Sequence, residues 1–204
     1  ILYVRNYSYS FAPQIFSLRK KTRNRVSLFE NYKKILIKEF IFFKKDKSDL
    51  NDNSIKALIL LDLYHFKTKN YFSKKPSKIE IQKGIKIYFN ILNKVSTKFK
   101  LNKNNIKIKF HPMTDKYLIK KIKSSILGNF ILKDKQSHLP LELIFKNYKN
   151  LKFCFSIGSS SPIFLEDLSK IRHYVIKTNE VITEPNYKYL RNLANSNQVF
   201  SLGL

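Results

Sequence analysis

The chain is poor in cysteine, glycine, tryptophan and acid: one Cys, four Gly, no Trp and 14 Asp+Glu among 204 residues. A single cysteine, Cys154, excludes a disulfide framework and any CxxC metal or redox motif. The four histidines, His65, His111, His138 and His173, are far apart and form no HExxH or Cys/His cluster, so no zinc site is expected. No run of about 18 apolar residues occurs, so no bilayer-spanning helix is expected. The shortage of acid leaves 40 Lys+Arg unbalanced, a formal net charge of +26, which excludes an acidic solvating tail. Arginine is scarce too, at Arg5, Arg19, Arg23, Arg25, Arg172 and Arg191 only. Proteins that read bases lean on its bidentate fork, and lysine mixed with Asn, Ile, Tyr and Phe is what A+T-rich coding produces. Much of the charge is therefore expected on solvated faces.

What the chain does have is 43% hydrophobic and 14% aromatic residues, enough to bury a core. The length fits one domain, or one domain with part of another. Because the chain starts at Ile1, the expectation is a piece of a longer polypeptide: residues 1–54 as a helical remainder or interdomain segment, and 55–204 as the domain proper.

Apolar residues at helical spacing predict a helix over Ser27–Phe43, followed by a polar loop to Ser54. The stretch Tyr32–Lys45 (YKKILIKEFIFFKK) reads either as a surface helix with its stripe on the core or as a helix resting on an anionic leaflet. Ala57–Leu63 (ALILLDL) has the continuous apolar pattern of a strand buried on both faces of a parallel sheet. Ser77 followed by Glu80 is a capping-box signature for a helix to Phe99 with Ile81, Ile85, Tyr88, Ile91 and Leu92 inward. Strands are predicted at Ile106–Phe110, Asn129–Leu132, Lys152–Ile157 and His173–Ile176. The helices expected between and after them are Asp115–Ser125, Leu141–Tyr148, Pro162–Leu168 and Glu184–Ala194. Alternation of this kind predicts an α/β fold, a Rossmann-like parallel sheet with helices on both faces.

In such sheets ligands bind beyond the carboxyl ends of the strands. Two loops fall there. In KFHPMTD (Lys109–Asp115), Pro112 fixes the turn and keeps His111 extended at a strand end. The imidazole either bonds a carbonyl as a buried structural residue or serves a phosphate or leaving group, its ordinary pKa of about 6.5 lying near neutrality. In FSIGSSSPIF (Phe155–Phe164), Gly158 permits close backbone approach, and Ser159, Ser160 and Ser161 offer hydroxyl and amide donors where a helix begins. A plain helix cap explains part of that turn, but three serines exceed what a cap needs. Between the loops, Glu142 opens a helix, where it suits a ribose diol or simply the helix dipole.

His-Pro after a strand, a Pro-Leu-Glu helix start about thirty residues on, and a Ser-Ser-Ser turn after the next strand resemble the bacterial sialyltransferases of GT-B architecture, the lipooligosaccharide sialyltransferase and capsular polysialyltransferase type. The match covers roughly Ile106 to Leu165. The resemblance implies the nucleotide-binding half of a GT-B glycosyltransferase. It gives His111, with Pro112, to the phosphate of CMP-sialic acid and the departure of CMP. Ser159 and Ser160 go to the same phosphate and Glu142 to the CMP ribose, with Gly158 and Ser161 of the same loop expected among the substrate-binding residues. The family's acidic-acidic-Gly motif is absent, since the glycines at 84, 128, 158 and 203 follow Lys83, Leu127, Ile157 and Leu202. The general base is accordingly expected in a part of the polypeptide upstream of this chain.

No cofactor or metal is expected, because the donor carries its own leaving group and N–H and cationic donors can meet the charge on its phosphate. The expected partners are the nucleotide-sugar donor, a glycan acceptor and an anionic inner-membrane surface, with nucleic acid not expected; the expected location is cytoplasmic, peripheral on that membrane. Two other readings stay open: a GT-B cell-envelope transferase with another donor such as CDP-glycerol, and a basic nucleic-acid-binding module resting on charge and on Tyr and Phe.

Overall fold

The computed structural model describes residues 53–62, 66, 76–111, 114–132, 141–157, 159, 161, 170–177 and 199–203, all within the unit Asp49–Leu204. The helices expected over 27–43, 162–168 and 184–194 lie outside the described residues, as does the segment 1–52.

The apolar run becomes strand β1 (Ala57–Leu60), with all four residues buried. A strand without polar alternation needs cover on both faces, and a parallel sheet supplies it. Strands β2 (Ile106–Lys109), β3 (Phe153–Ser156), β4 (Arg172–Lys177) and β5 (Val199–Gly203) join β1 in the order β2-β1-β3-β4-β5, every pairing parallel. This is an α/β fold. β5, with only Val, Phe and Leu among five residues, was not predicted. The strand expected at Asn129–Leu132 shrinks to one bridge, Ile131 to Ile108. The amides of Gly128, Phe130 and Ile131 are already spent on a 3-10 turn, leaving Leu132 N–H to reach the Ile108 carbonyl at 3.0 Å.

Helix α1 (Lys78–Lys98) starts as its sequence demands: Ser77 Oγ accepts from Glu80 N–H at 3.2 Å, and Glu80 Oε2 accepts from Ser77 N–H at 2.6 Å. Ile81, Tyr88, Ile91, Leu92 and Val95 are buried, while Ile85 is only half-buried. The helix ends in a Schellman turn, with Leu101 N–H on Ser96 O and Lys100 N–H on Thr97 O. Its C-cap ring, Phe99, packs 4.8–5.2 Å from Phe153, Phe155 and Tyr174, which seats α1 on one face of the sheet. Helix α2 (Lys116–Lys123) is capped by Asp115, whose Oδ1 accepts from Leu118 N–H at 2.8 Å. Helix α3 (Leu141–Ile144) is a single turn tightening into a 3-10 turn at Phe145–Asn147, shorter than its sequence predicts. Among the described residues no helix is long and apolar enough to cross a membrane.

Two features invite stability measurements. Lys100 closes the Schellman turn at φ 51°, a left-handed conformation that costs a side chain energy and costs glycine none. Lys100→Gly should stabilise the protein by up to about 1 kcal/mol in urea unfolding; a loss of stability would contradict this account of the cap. His173, on β4 beside Cys154 of β3, is fully buried, and neither ring nitrogen has a hydrogen-bond partner among the described residues. Burial lowers its pKa from 6.5 to about 4. Across that window the unfolded chain binds a proton that the folded chain refuses, so stability falls with pH by about 3 kcal/mol. His173→Leu should be neutral or stabilising at about pH 7 and should flatten the acid limb of the unfolding curve. A loss above about 2 kcal/mol at pH 7 would mean the ring has a partner after all.

Candidate functional site

With the order β2-β1-β3, the order in which the chain lays down its strands reverses between β1 and β3, the point at which open parallel sheets leave a crevice at their carboxyl edge. Three segments leave the sheet there: Leu61-Asp62 after β1, Phe110-His111 after β2, and Ile157 to Ser161 after β3. Strands lie about 4.8 Å apart, so the His and Ser loops emerge about 10 Å from one another with the β1 segment between them.

The β2 exit is tightly held. Thr114, itself buried, donates to the His111 carbonyl twice, from its amide at 2.9 Å and its hydroxyl at 2.7 Å. Asp115 then caps α2, so the chain turns from strand to helix within a few residues and the half-buried His111 side chain is left at the edge. The β1 exit is held by α1. Asp62 N–H donates to the Tyr88 hydroxyl at 2.5 Å, and Tyr88, fully buried and stacked on Phe66 at 5.8 Å, has its pKa raised well above 10.0 by burial and by the Asp62 charge. The phenol is thus a fixed neutral post.

Leu60 pairs with Lys109, and Leu61 N–H continues the ladder onto the Lys109 carbonyl at 2.9 Å. Two residues further along each strand, the same register sets Asp62 beside His111. Asp62 carries a negative charge close enough to favour the imidazolium, while Lys109 opposes it. Lys109 is 2% exposed and donates from Nζ to the Phe110 carbonyl at 3.1 Å. Burial is the largest influence on His111, and the balance lowers its pKa below 6.5, so the resting ring is neutral at pH 7.

On the other side of β1, Ser156 ends β3 with its hydroxyl buried and unpartnered among the described residues. Ser159 is half-buried and accepts from Ser161 N–H at 3.2 Å, a local turn that orders the start of the Ser loop, and Ser161 is buried. Of the residues singled out from the sequence, His111, Ser159 and Ser161 thus share one edge of the sheet. Glu142 lies in the single turn of α3, its side chain outside the described residues, and Pro112, Gly158 and Ser160 lie outside them as well. Sequence reasoning passed over Asp62 and Lys109. The signal for Asp62 was a lone acid closing an otherwise apolar run; Lys109 looked like the polar side of an alternating strand. Among the described residues no group of three or more His, Cys, Asp or Glu gathers as a metal site.

Fold and site together define an α/β domain whose chemistry-bearing side chains converge at the carboxyl edge, beside the topological switch point. Comparison with family models, with curated proteins and with solved structures finds no match for this chain.

The electrostatic arrangement is directly measurable. In an NMR pH titration the His111 ring should titrate below 6.5. Asp62→Asn should lower the midpoint further, by removing the charge that favours the imidazolium, and Lys109→Met should raise it. A midpoint unmoved in both variants would separate these three side chains.

Proposed function

We propose that the chain is the donor-binding part of a GT-B glycosyltransferase that moves sialic acid from CMP-sialic acid to a cell-surface glycan, a lipooligosaccharide or capsular polysaccharide. The observation that carries the reading is the convergence of His111 and the Ser159–Ser161 turn on one carboxyl edge, on either side of β1. In this reading the phosphate of the donor sits between the two loops. Its negative charge raises the pKa of the neutral His111, so the ring acquires a proton when the donor arrives and can pass it to the departing CMP phosphate. Lys109 and the Ser-loop donors offset the charge that builds on that phosphate as the sugar takes on oxocarbenium character. Ser156 has a hydroxyl to spare for the same ligand.

Asp62 changes one part of the expectation. A carboxylate beside His111 that favours the imidazolium makes Asp62 a candidate within this chain for the acidic role otherwise assigned upstream. Glu142 retains the ribose of CMP as its proposed ligand, and the location proposed is the cytoplasmic face of the inner membrane.

Calorimetry with CMP, and turnover with a panel of nucleotide-linked donors, test the reading on the full chain. CMP should bind, and CMP-sialic acid should be the donor consumed. His111→Ala should cut turnover by roughly 100-fold or more, as loss of a general acid does, with Ser159→Ala costing less. Asp62→Asn should also fall well below wild type while still binding CMP. Consumption of a different donor, or wild-type turnover by His111→Ala, would overturn the assignment.

A further inference from the structure

We propose that the face built by α1 and the turn after α2 docks on an anionic lipid bilayer. An open groove of about 440 Å³ runs between these elements, lined by Ile85, Lys86, Phe89, Ser125 and Ile126 among others. Ile126 on its rim is 58% exposed. On α1, Ile79, Gln82, Lys86 and Phe89 follow one another at helical spacing, which extends the groove toward Ile79, at 77% the most exposed large apolar side chain among the described residues. Two aliphatic side chains thus stand in water at the margins of an apolar groove, where inserting them among acyl chains recovers the cost of wetting them.

The charge around the groove says what covers it. Residues 76–132 contain 13 Lys, no Arg and two acids. Both acids serve helix N-termini, Glu80 in the capping box of α1 and Asp115 as the cap of α2. Of the 13 lysines only Lys109 is buried; Lys86 lines the groove, and Lys103 holds its ammonium 6.0 Å from the centre of the Phe89 ring. Lysine on a flexible stem beside exposed isoleucine is the pairing that suits a headgroup layer above hydrocarbon: the stems cover apolar surface and the ammonium groups reach lipid phosphates. A nucleic acid would favour arginine forks and stacking rings over protruding isoleucines. The proposal is independent of the transferase reading, because vesicle partition is measured without donor or acceptor.

Sedimentation of the full chain with phosphatidylcholine vesicles, and with the same vesicles carrying phosphatidylglycerol, is the test. The wild type should pellet with the anionic vesicles only, and less so as salt rises. Replacing Lys86, Lys103 and Lys123 together by Gln should weaken partition by roughly fivefold per lysine, on the order of 100-fold in all. Ile79→Ser combined with Ile126→Ser should weaken it by roughly tenfold at unchanged charge, with circular dichroism confirming that both variants are folded. Failure of the wild type to pellet with the anionic vesicles overturns the proposal. So does pelleting that either variant retains in full, or duplex DNA that binds the face and excludes the vesicles with no loss in the isoleucine variant.

Discussion

Strand β1 is hydrogen-bonded to β2 along one edge and to β3 along the other, and because both ladders are parallel, the three strands deliver their carboxyl ends to the same side of the sheet. Everything at the candidate site depends on that pairing. At its amino end β1 is located by backbone bonds from Lys56 N–H to the Asn105 carbonyl and from Lys152 N–H to the Lys56 carbonyl, both 2.9 Å. The amides of Asn105 and Asn150 add bonds to the carbonyls of Ser54 and Asn53. With the start of the strand fixed and the register set, the position of Asp62 relative to His111 follows from counting residues. A slip of one residue would send Asp62 to the opposite face and expose the wholly apolar β1 surface to rearrangement, so register and site are enforced by the same burial.

Around that frame burial and the neighbouring charges together hold the His111 pKa below its ordinary value. Burial and the Lys109 ammonium oppose protonation, and Asp62 favours it. A further negative charge, such as an anionic ligand at the crevice would bring, acts in the same sense as Asp62 and raises the pKa. The Tyr88 hydroxyl adds no charge, since the phenol stays protonated, and so its contribution is to the placement of the Asp62 backbone. The placement reaches back through α1 to its packing on Phe153, Phe155 and Tyr174, which ties the site to the aromatic layer beneath the sheet.

Much of this was legible in the sequence where a signal is local. The capping box at Ser77 and Glu80, the continuous run at Ala57 and the strand opening at Ile106 each depend on a few neighbouring residues, and the box and both strands form, the strands ending at Leu60 and Lys109, short of the ends expected. The features that were not legible depend on partners distant in sequence. Lys109 alternates with Ile106 and Ile108 as an outward-facing residue should, yet it is buried because the chain covers the second face of the sheet, which no local pattern reports. Asp62 closes an apolar run and was absorbed into it; its importance comes from His111, 49 positions away. His173 likewise reads as an ordinary strand residue, yet on β4, between β3 and β5, it is fully buried.

Lysine therefore does two kinds of work in this chain, and salt distinguishes them. Lys109 acts on His111 from inside the protein, where ions of the solution do not enter and an interaction of one charge with one ring is strong. The exposed lysines of α1 and α2 act in water, where each contributes little alone and the effect lies in their sum over a surface within a Debye length, about 8 Å at physiological ionic strength. The influence of Lys109 on His111 should thus depend little on ionic strength, while any attraction of the helical face to an anionic surface must fall steeply with it. A net charge of +26 has no single meaning for function: one buried ammonium adds to the burial and the Asp62 charge that act on His111, and the exposed lysines bear on what the protein approaches.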